Sequence, residues 1–142
     1  MKEKTISRLR EFNRFYLPVF GLLGNSYLGS EYSATEARVL YEIYAADGCT
    51  AAAIARNMNI DKSYLSRIIK GHEKKGYLYR TVSANDGRAY HLHLTEEGLQ
   101  RTEYFIQRSN AEISEKIKDL DMDSCQRLTA ALDTITEILR GQ

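Results

Sequence analysis

Between Asp61 and Leu94 the apolar residues change their spacing once, and a single glycine marks the change. Up to Lys75 the series Leu65, Ile68, Ile69 and His72 runs in the three-and-four steps of one helix face. Asp61 supplies an N-cap, and Gly76 stands where a helix needs a left-handed residue after its last turn. From Tyr77 the period becomes two. Tyr77 to Val82 reads as a strand, and in a second strand Tyr90, Leu92 and Leu94 alternate with Ala89, His91 and His93. Asn85-Asp86-Gly87 between them has turn chemistry. A helix that stops at a glycine and passes directly into a hairpin leaves few folds open.

The flanking segments narrow the choice. Ser33-Ala-Thr-Glu36 is a capping box for a helix running to about Ala46, with Ala37, Leu40, Tyr41 and Tyr44 on one side. Asp47-Gly48 stops it. Thr50 caps a short alanine-rich helix over 51–57, and Met58 to Ile60 makes a connector as short as a helix-turn-helix needs. Upstream, Ile6, Leu9, Phe12, Tyr16, Val19, Leu23 and Tyr27 predict an amphipathic helix from Thr5 to about Leu28, kinked or interrupted at Pro18. Downstream, Thr95 caps a long helix with the stripe Leu99, Phe105 or Ile106, Ile113, Ile117 and Leu120. Asp121 caps another, in which Cys125, Leu128, Leu132, Ile135 and Leu139 approach a coiled-coil seam. The expectation is a mainly α chain: a winged helix-turn-helix with a two-stranded β-wing and long terminal dimerisation helices. It is read as one domain over 1–142, with a winged lobe at 33–95 and dimerisation helices at 1–30 and 96–142. The terminal stripes exceed what one small domain buries, which predicts a partner subunit.

Charge is informative only by position. The whole chain carries a formal +1. From Arg56 to Arg88, eight bases stand against three acids, so that stretch is +5 and the remainder −4. Such a patch suits a polyanion, although a solvated basic face has the same composition. The longest uncharged run near the N-terminus, Phe15 to Ser30, is broken by Pro18 and three glycines and is too short to span a membrane. Two cysteines make no disulfide framework, so a reducing cytoplasm is the expected compartment.

The helix from Asp61 to Lys75 carries Lys62, Ser63, Ser66, Arg67 and Lys70 opposite its apolar face. A helix fits the major groove of DNA. Arg67 suits guanine, Ser63 and Ser66 suit bases or phosphates, and Lys62, Lys70 and Lys74 suit phosphates. Tyr64 fits either a DNA-facing role or the core. On the hairpin, Arg88 suits a narrow minor groove, with Asp86 orienting its guanidinium. Neither an ordinary surface helix nor an incidental turn ion pair is excluded by these residues singly.

The run Gly48-Cys-Thr-Ala-Ala-Ala-Ile-Ala-Arg-Asn-Met-Asn-Ile-Asp-Lys-Ser-Tyr-Leu-Ser-Arg-Ile-Ile-Lys resembles the helix-turn-helix of the multiple-antibiotic-resistance regulator (MarR) family. Glu73-Lys-Lys-Gly-Tyr-Leu, Asp86-Gly-Arg88 and Leu92-His-Leu-Thr95-Glu-Glu-Gly98 are similar to its recognition-helix end, wing and wing exit. The resemblance implies a homodimer joined by the first, fifth and sixth helices. It places Ser63, Tyr64, Ser66 and Arg67 at the major groove and Arg88 in the minor groove. It also implies a small aromatic effector, for which Tyr16, Tyr27, Tyr41 and Tyr44 are candidates beside ordinary packing roles. Phe12-Asn-Arg-Phe-Tyr16, Gly21-Leu-Leu-Gly24 and Ser33-Ala-Thr-Glu-Ala-Arg-Val-Leu-Tyr41 resemble, more narrowly, the regulator half of MarR–GNAT acetyltransferase fusions. A stand-alone regulator is the expectation, since no acetyl-CoA-binding segment is recognisable.

The rival classes are an acetyltransferase-linked regulatory module and a winged helix used for protein contacts. No catalytic constellation, phosphate-cradling glycine loop or cofactor motif is legible. His91 and His93 share a strand face but lack a third ligand nearby in sequence, so phosphate contact or no contact is expected rather than zinc. Cys49 precedes a helix and is weighed as an oxidant sensor against simple packing, with packing preferred.

Overall fold

The computed structural model describes residues 1–85, 87 and 89–141, so the expectations for Asp86 and Arg88 lie outside the described residues. Along the chain run α1 (Lys2–Val19), α2 (Ala34–Ala45), α3 (Ala51–Met58), α4 (Lys62–Lys74), β1 (Leu78–Val82), β2 (Tyr90–Leu94), α5 (Glu96–Ile117) and α6 (Met122–Arg140), with one 3-10 turn at Tyr27–Gly29. The two strands form an antiparallel hairpin, with Leu78 opposite Leu94 and Val82 opposite Tyr90. This is the mainly α winged-helix architecture expected from the sequence. Two compact units are distinguishable, residues 1–109 and 110–142.

Local chemistry accounts for the helix starts. Ser33 Oγ accepts from Glu36 N at 3.1 Å while the Glu36 carboxylate accepts from Ser33 N at 3.0 Å, completing the capping box. Thr50, Asp61, Thr95 and Asp121 likewise accept from the backbone three residues on. Asn59 takes a left-handed φ of 51° after α3, which turns the chain sharply into α4. Gly76, at φ 81°, does the same between α4 and the hairpin.

The first unit's core lies beneath the helix-turn-helix and the hairpin. Val39 and Ile43 of α2, Ile54 of α3, Leu65, Ile68 and Ile69 of α4, Leu78 and Leu92 form one cluster. A second joins Tyr32, Ala37, Leu40 and Phe105. The start of α5 is fixed by close approach. A Cβ on Gly98 would stand 1.9 Å from the Tyr77 carbonyl oxygen, which itself accepts from Thr95 N.

Three expectations need correction. The first helix does not reach Leu28: Pro18 is its penultimate residue, and Gly21 and Gly24 then take φ of 62° and 90°, which no right-handed helix admits. Leu23 and Tyr27 therefore do not extend its stripe. In α2 the buried face is Ala37, Val39, Leu40 and Ile43, which turns Tyr41 and Tyr44 outward. In α5 the inward positions are Gly98, Thr102 and Phe105, not Leu99, because contact with Tyr77 requires a glycine there. Within the second unit, the α6 stripe of Leu128, Leu132, Ile135 and Leu139 is exposed. No described helix is long and apolar enough to cross a membrane.

Candidate nucleic-acid interface

Packing of α4 determines what it shows to solvent. Leu65, Ile68, Ile69 and His72 are buried, as their spacing predicts. Lys62, Ser63, Tyr64, Arg67 and Lys70 are exposed in consequence, with Ser66 half-buried at the margin and Lys74 exposed in the last turn. The structure thus brings the seven α4 residues singled out from the sequence onto one helix, six of them in the open. Among the described residues, Lys62, Arg67, Lys70 and Lys74 make no ion pair. Tyr64 is 38% exposed, and the Arg67 guanidinium carbon lies 5.9 Å from its ring centroid. That contact attracts the arginine without neutralising its charge. Asp61 adds rigidity at the first turn through its 3.0 Å bond from Tyr64 N.

The hairpin is bound to this helix and to the loop before α3. Arg80 on β1 donates from Nε to Glu73 of α4 at 3.0 Å, and its guanidinium carbon stands 5.7 Å from the Tyr90 ring centroid. Leu92 and the Cys49 loop exchange backbone bonds: Leu92 N donates to Cys49 O and Gly48 N to Leu92 O, both at 2.9 Å. The two histidines reinforce the same seam. His91 Nδ1 donates to Gly48 O at 2.7 Å. His93 Nδ1 donates to an Asp47 carboxylate oxygen at 3.0 Å, and its Nε2 accepts from Thr81 Oγ1 at 2.8 Å. A carbonyl and a carboxylate only accept, so in both rings Nδ1 carries a proton.

These contacts were not foreseen. The sequence offered phosphate contact or idleness for His91 and His93, whereas both staple the wing to the α2–α3 loop. No local signal announces a carbonyl 43 positions away, though the short extended run before α3 hints at a third strand. No group of three or more His, Cys, Asp or Glu positioned to hold a metal occurs among the described residues. Cys49 packs against the first core cluster, and burial pushes its thiol up, which disfavours a reactive thiolate.

The four candidate effector tyrosines are dispersed. Tyr41 and Tyr44 lie side by side on α2 with centroids 6.2 Å apart. Tyr27 lies against Phe105, and Tyr16 stacks on Phe12 and lies tilted against Phe20 at the exit of the first helix. A cleft of about 390 Å³ lies elsewhere, between the start of α3, α4 and the hairpin, lined by Thr50, Lys62, Ser66, Arg80 and Tyr90 among others.

Residues 31–89, which span α2 through the hairpin turn, match the family model described as MarR family. A Thauera aromatica protein, provisionally named a transcriptional regulatory protein for the hcr operon, is 31% identical over 77 residues. That match covers 52% of this chain and 46% of the relative, so the chain spans about half the length of the curated relative it matches. Among solved structures, a variant of MarR from Escherichia coli complexed with operator DNA superposes with a TM-score of 0.75 at 25% identity, over 93% of this chain and 95% of that one. FabT from Streptococcus pneumoniae in complex with DNA has the same fold, with a TM-score of 0.73 at 19% identity over 99% of each chain.

Proposed function

We propose that this chain, with the MarR-family match at residues 31–89 and the MarR fold, is a transcriptional regulator that binds duplex DNA as a homodimer. One observation carries the reading. Four cations of α4 stand exposed and unpaired among the described residues, on a helix whose other face is locked into the core. The roles assigned are Arg67 at a base edge, Ser63, Tyr64 and Ser66 beside it, and Lys62, Lys70 and Lys74 on phosphates. Arg88 is assigned to the minor groove and Asp86 to holding it. The exposed stripes of α1 and of α6 each support a subunit interface. Two-fold symmetry then puts the two copies of α4 roughly 34 Å apart, one turn of B-DNA.

Repression of a pseudo-palindromic operator, relieved by a small aromatic effector, is the finer form of this proposal. The exposed pair Tyr41 and Tyr44 supports an aromatic ligand, and Tyr16 and Tyr27 complete the candidate set. An acetyltransferase-linked role has only the sequence resemblance of the first two helices behind it, and calorimetry with acetyl-CoA tests it. The DNA-binding proposal is tested by titrating labelled duplex from immediately upstream of the chain's own gene. Saturable binding that weakens with salt is expected, and equal, salt-insensitive signals on this and unrelated DNA would overturn it.

A further inference from the structure

Beneath the recognition surface, α4 carries a histidine that serves neither DNA nor the wing. His72 is 2% exposed. Its Nε2 lies 2.9 Å from the Glu36 carbonyl oxygen in the first turn of α2. That oxygen can only accept, so Nε2 holds the proton and the neutral ring leaves Nδ1 as a bare lone pair. Nδ1 is buried with no hydrogen-bond partner among the described residues. Tyr32, from the segment before α2, packs on the ring at 5.5 Å and is itself 5% exposed, with its hydroxyl buried beside Tyr77. Tyr77, from the turn after α4, closes another side at 6.2 Å.

The charges around this pocket are few. From α2, the Glu36 carboxylate is occupied in its capping box. From α5, the Arg101 guanidinium carbon stands 5.7 Å from the Tyr32 ring centroid and pairs with the exposed Glu31 at 2.9 Å. No carboxylate among the described residues is bonded to the imidazole. A second proton on Nδ1 therefore creates a buried cation without a hydrogen-bond acceptor, a cost that the charge of the Glu36 carboxylate offsets only in part.

We propose that His72 is an acid-operated release for the recognition helix: protonation at Nδ1 breaks its seat between Glu36, Tyr32 and Tyr77 and frees α4 from α2. The coupling to DNA rests on the function proposed above. Burial lowers the affinity of this ring for a proton below the ordinary histidine value of 6.5, which agrees with the geometry. The sign follows. The opened state takes up the proton at ordinary acidity while the closed state resists it. The closed form is thus fully favoured above about pH 6.5 and loses up to about tenfold per pH unit below it, until the closed state itself protonates.

The direction is diagnostic. Opening at His72 weakens DNA binding as the pH falls, whereas a general gain of positive charge in acid strengthens it.

The experiment is amide exchange of the full chain without DNA between pH 7.5 and 5, corrected for intrinsic exchange, alongside the imidazole resonances of its three histidines. Protection in α4 is expected to fall up to tenfold per unit below pH 6.5, with the His72 ring titrating below 6.5. In His72→Leu and His72→Gln the fall disappears. A wild-type chain with flat protection, or a His72 ring titrating at or above 6.5, overturns the proposal whatever the variants do. Duplex titrations over the same range then read the coupling. Loss of α4 protection in a chain that binds no DNA at any pH leaves the release standing and defeats the DNA reading instead.

Discussion

Arg67 is the residue to which the proposed function gives the base contact. It projects from the middle of α4, unpaired among the described residues and steadied by the Tyr64 ring at 5.9 Å. Arg67→Ala is expected to weaken binding to the upstream duplex by about 1–3 kcal/mol and to relax discrimination at one base position. Lys70→Ala, at a proposed phosphate contact, is expected to weaken all sequences alike and to reduce the slope of log K against log salt by about one. Anisotropy titrations at several salt concentrations separate the two. At Gly98 the effect is on stability. A methyl group 1.9 Å from the Tyr77 carbonyl forces the hairpin exit apart, so Gly98→Ala is expected to cost about 1–3 kcal/mol in urea denaturation, and more if the shift propagates. The exposed cations of α4 were legible in the sequence because helical period alone decides which side faces out. Gly98 stood out only as the end of the wing-exit motif, and His91 and His93 were read as phosphate contacts or bystanders. Each of these depends on a partner carbonyl or carboxylate brought in by tertiary structure, and no spacing rule contains that.

At the scale of elements, starts were easier to read than ends. Ser33, Thr50, Asp61, Thr95 and Asp121 all cap the helices that their neighbours predict, since an N-cap is a contact within three residues. The end of α1 was overrun because its three-and-four stripe continues past Pro18 in sequence while the glycines redirect the backbone. The inward face of α2 was misplaced, since the spacing of Ala37, Leu40, Tyr41 and Tyr44 also fits a helix face while Val39 and Ile43 fill the cluster instead. Asp61 tests the role of a cap at the interface. Asp61→Ala is expected to destabilise the lobe by about 1 kcal/mol in thermal unfolding and to loosen Tyr64 and Arg67 together. Unchanged unfolding together with unchanged DNA affinity would show that the first turn of α4 needs no cap.

For the whole molecule, the hairpin and α4 act as one piece. The wing is fastened to α4 by Arg80 and Glu73, and to the loop before α3 by Leu92, His91 and His93. A lobe tied in this way presents its cations at fixed separation, which is what a repeating phosphate lattice rewards. In the proposed homodimer, symmetry supplies the rest, because one lobe would cover only half of a palindromic site. The apolar stripes of α1 and α6 predict that the free chain sediments as a dimer at micromolar concentration, and a monomer there would remove the basis for a symmetric site. The most direct test of the account is hydroxyl-radical footprinting of the upstream duplex with the wild-type chain and with Arg67→Ala. The account predicts two protected half-sites related by a dyad and about one helical turn apart, both lost in the variant. A single unpaired footprint, or protection that survives Arg67→Ala unchanged, would contradict it.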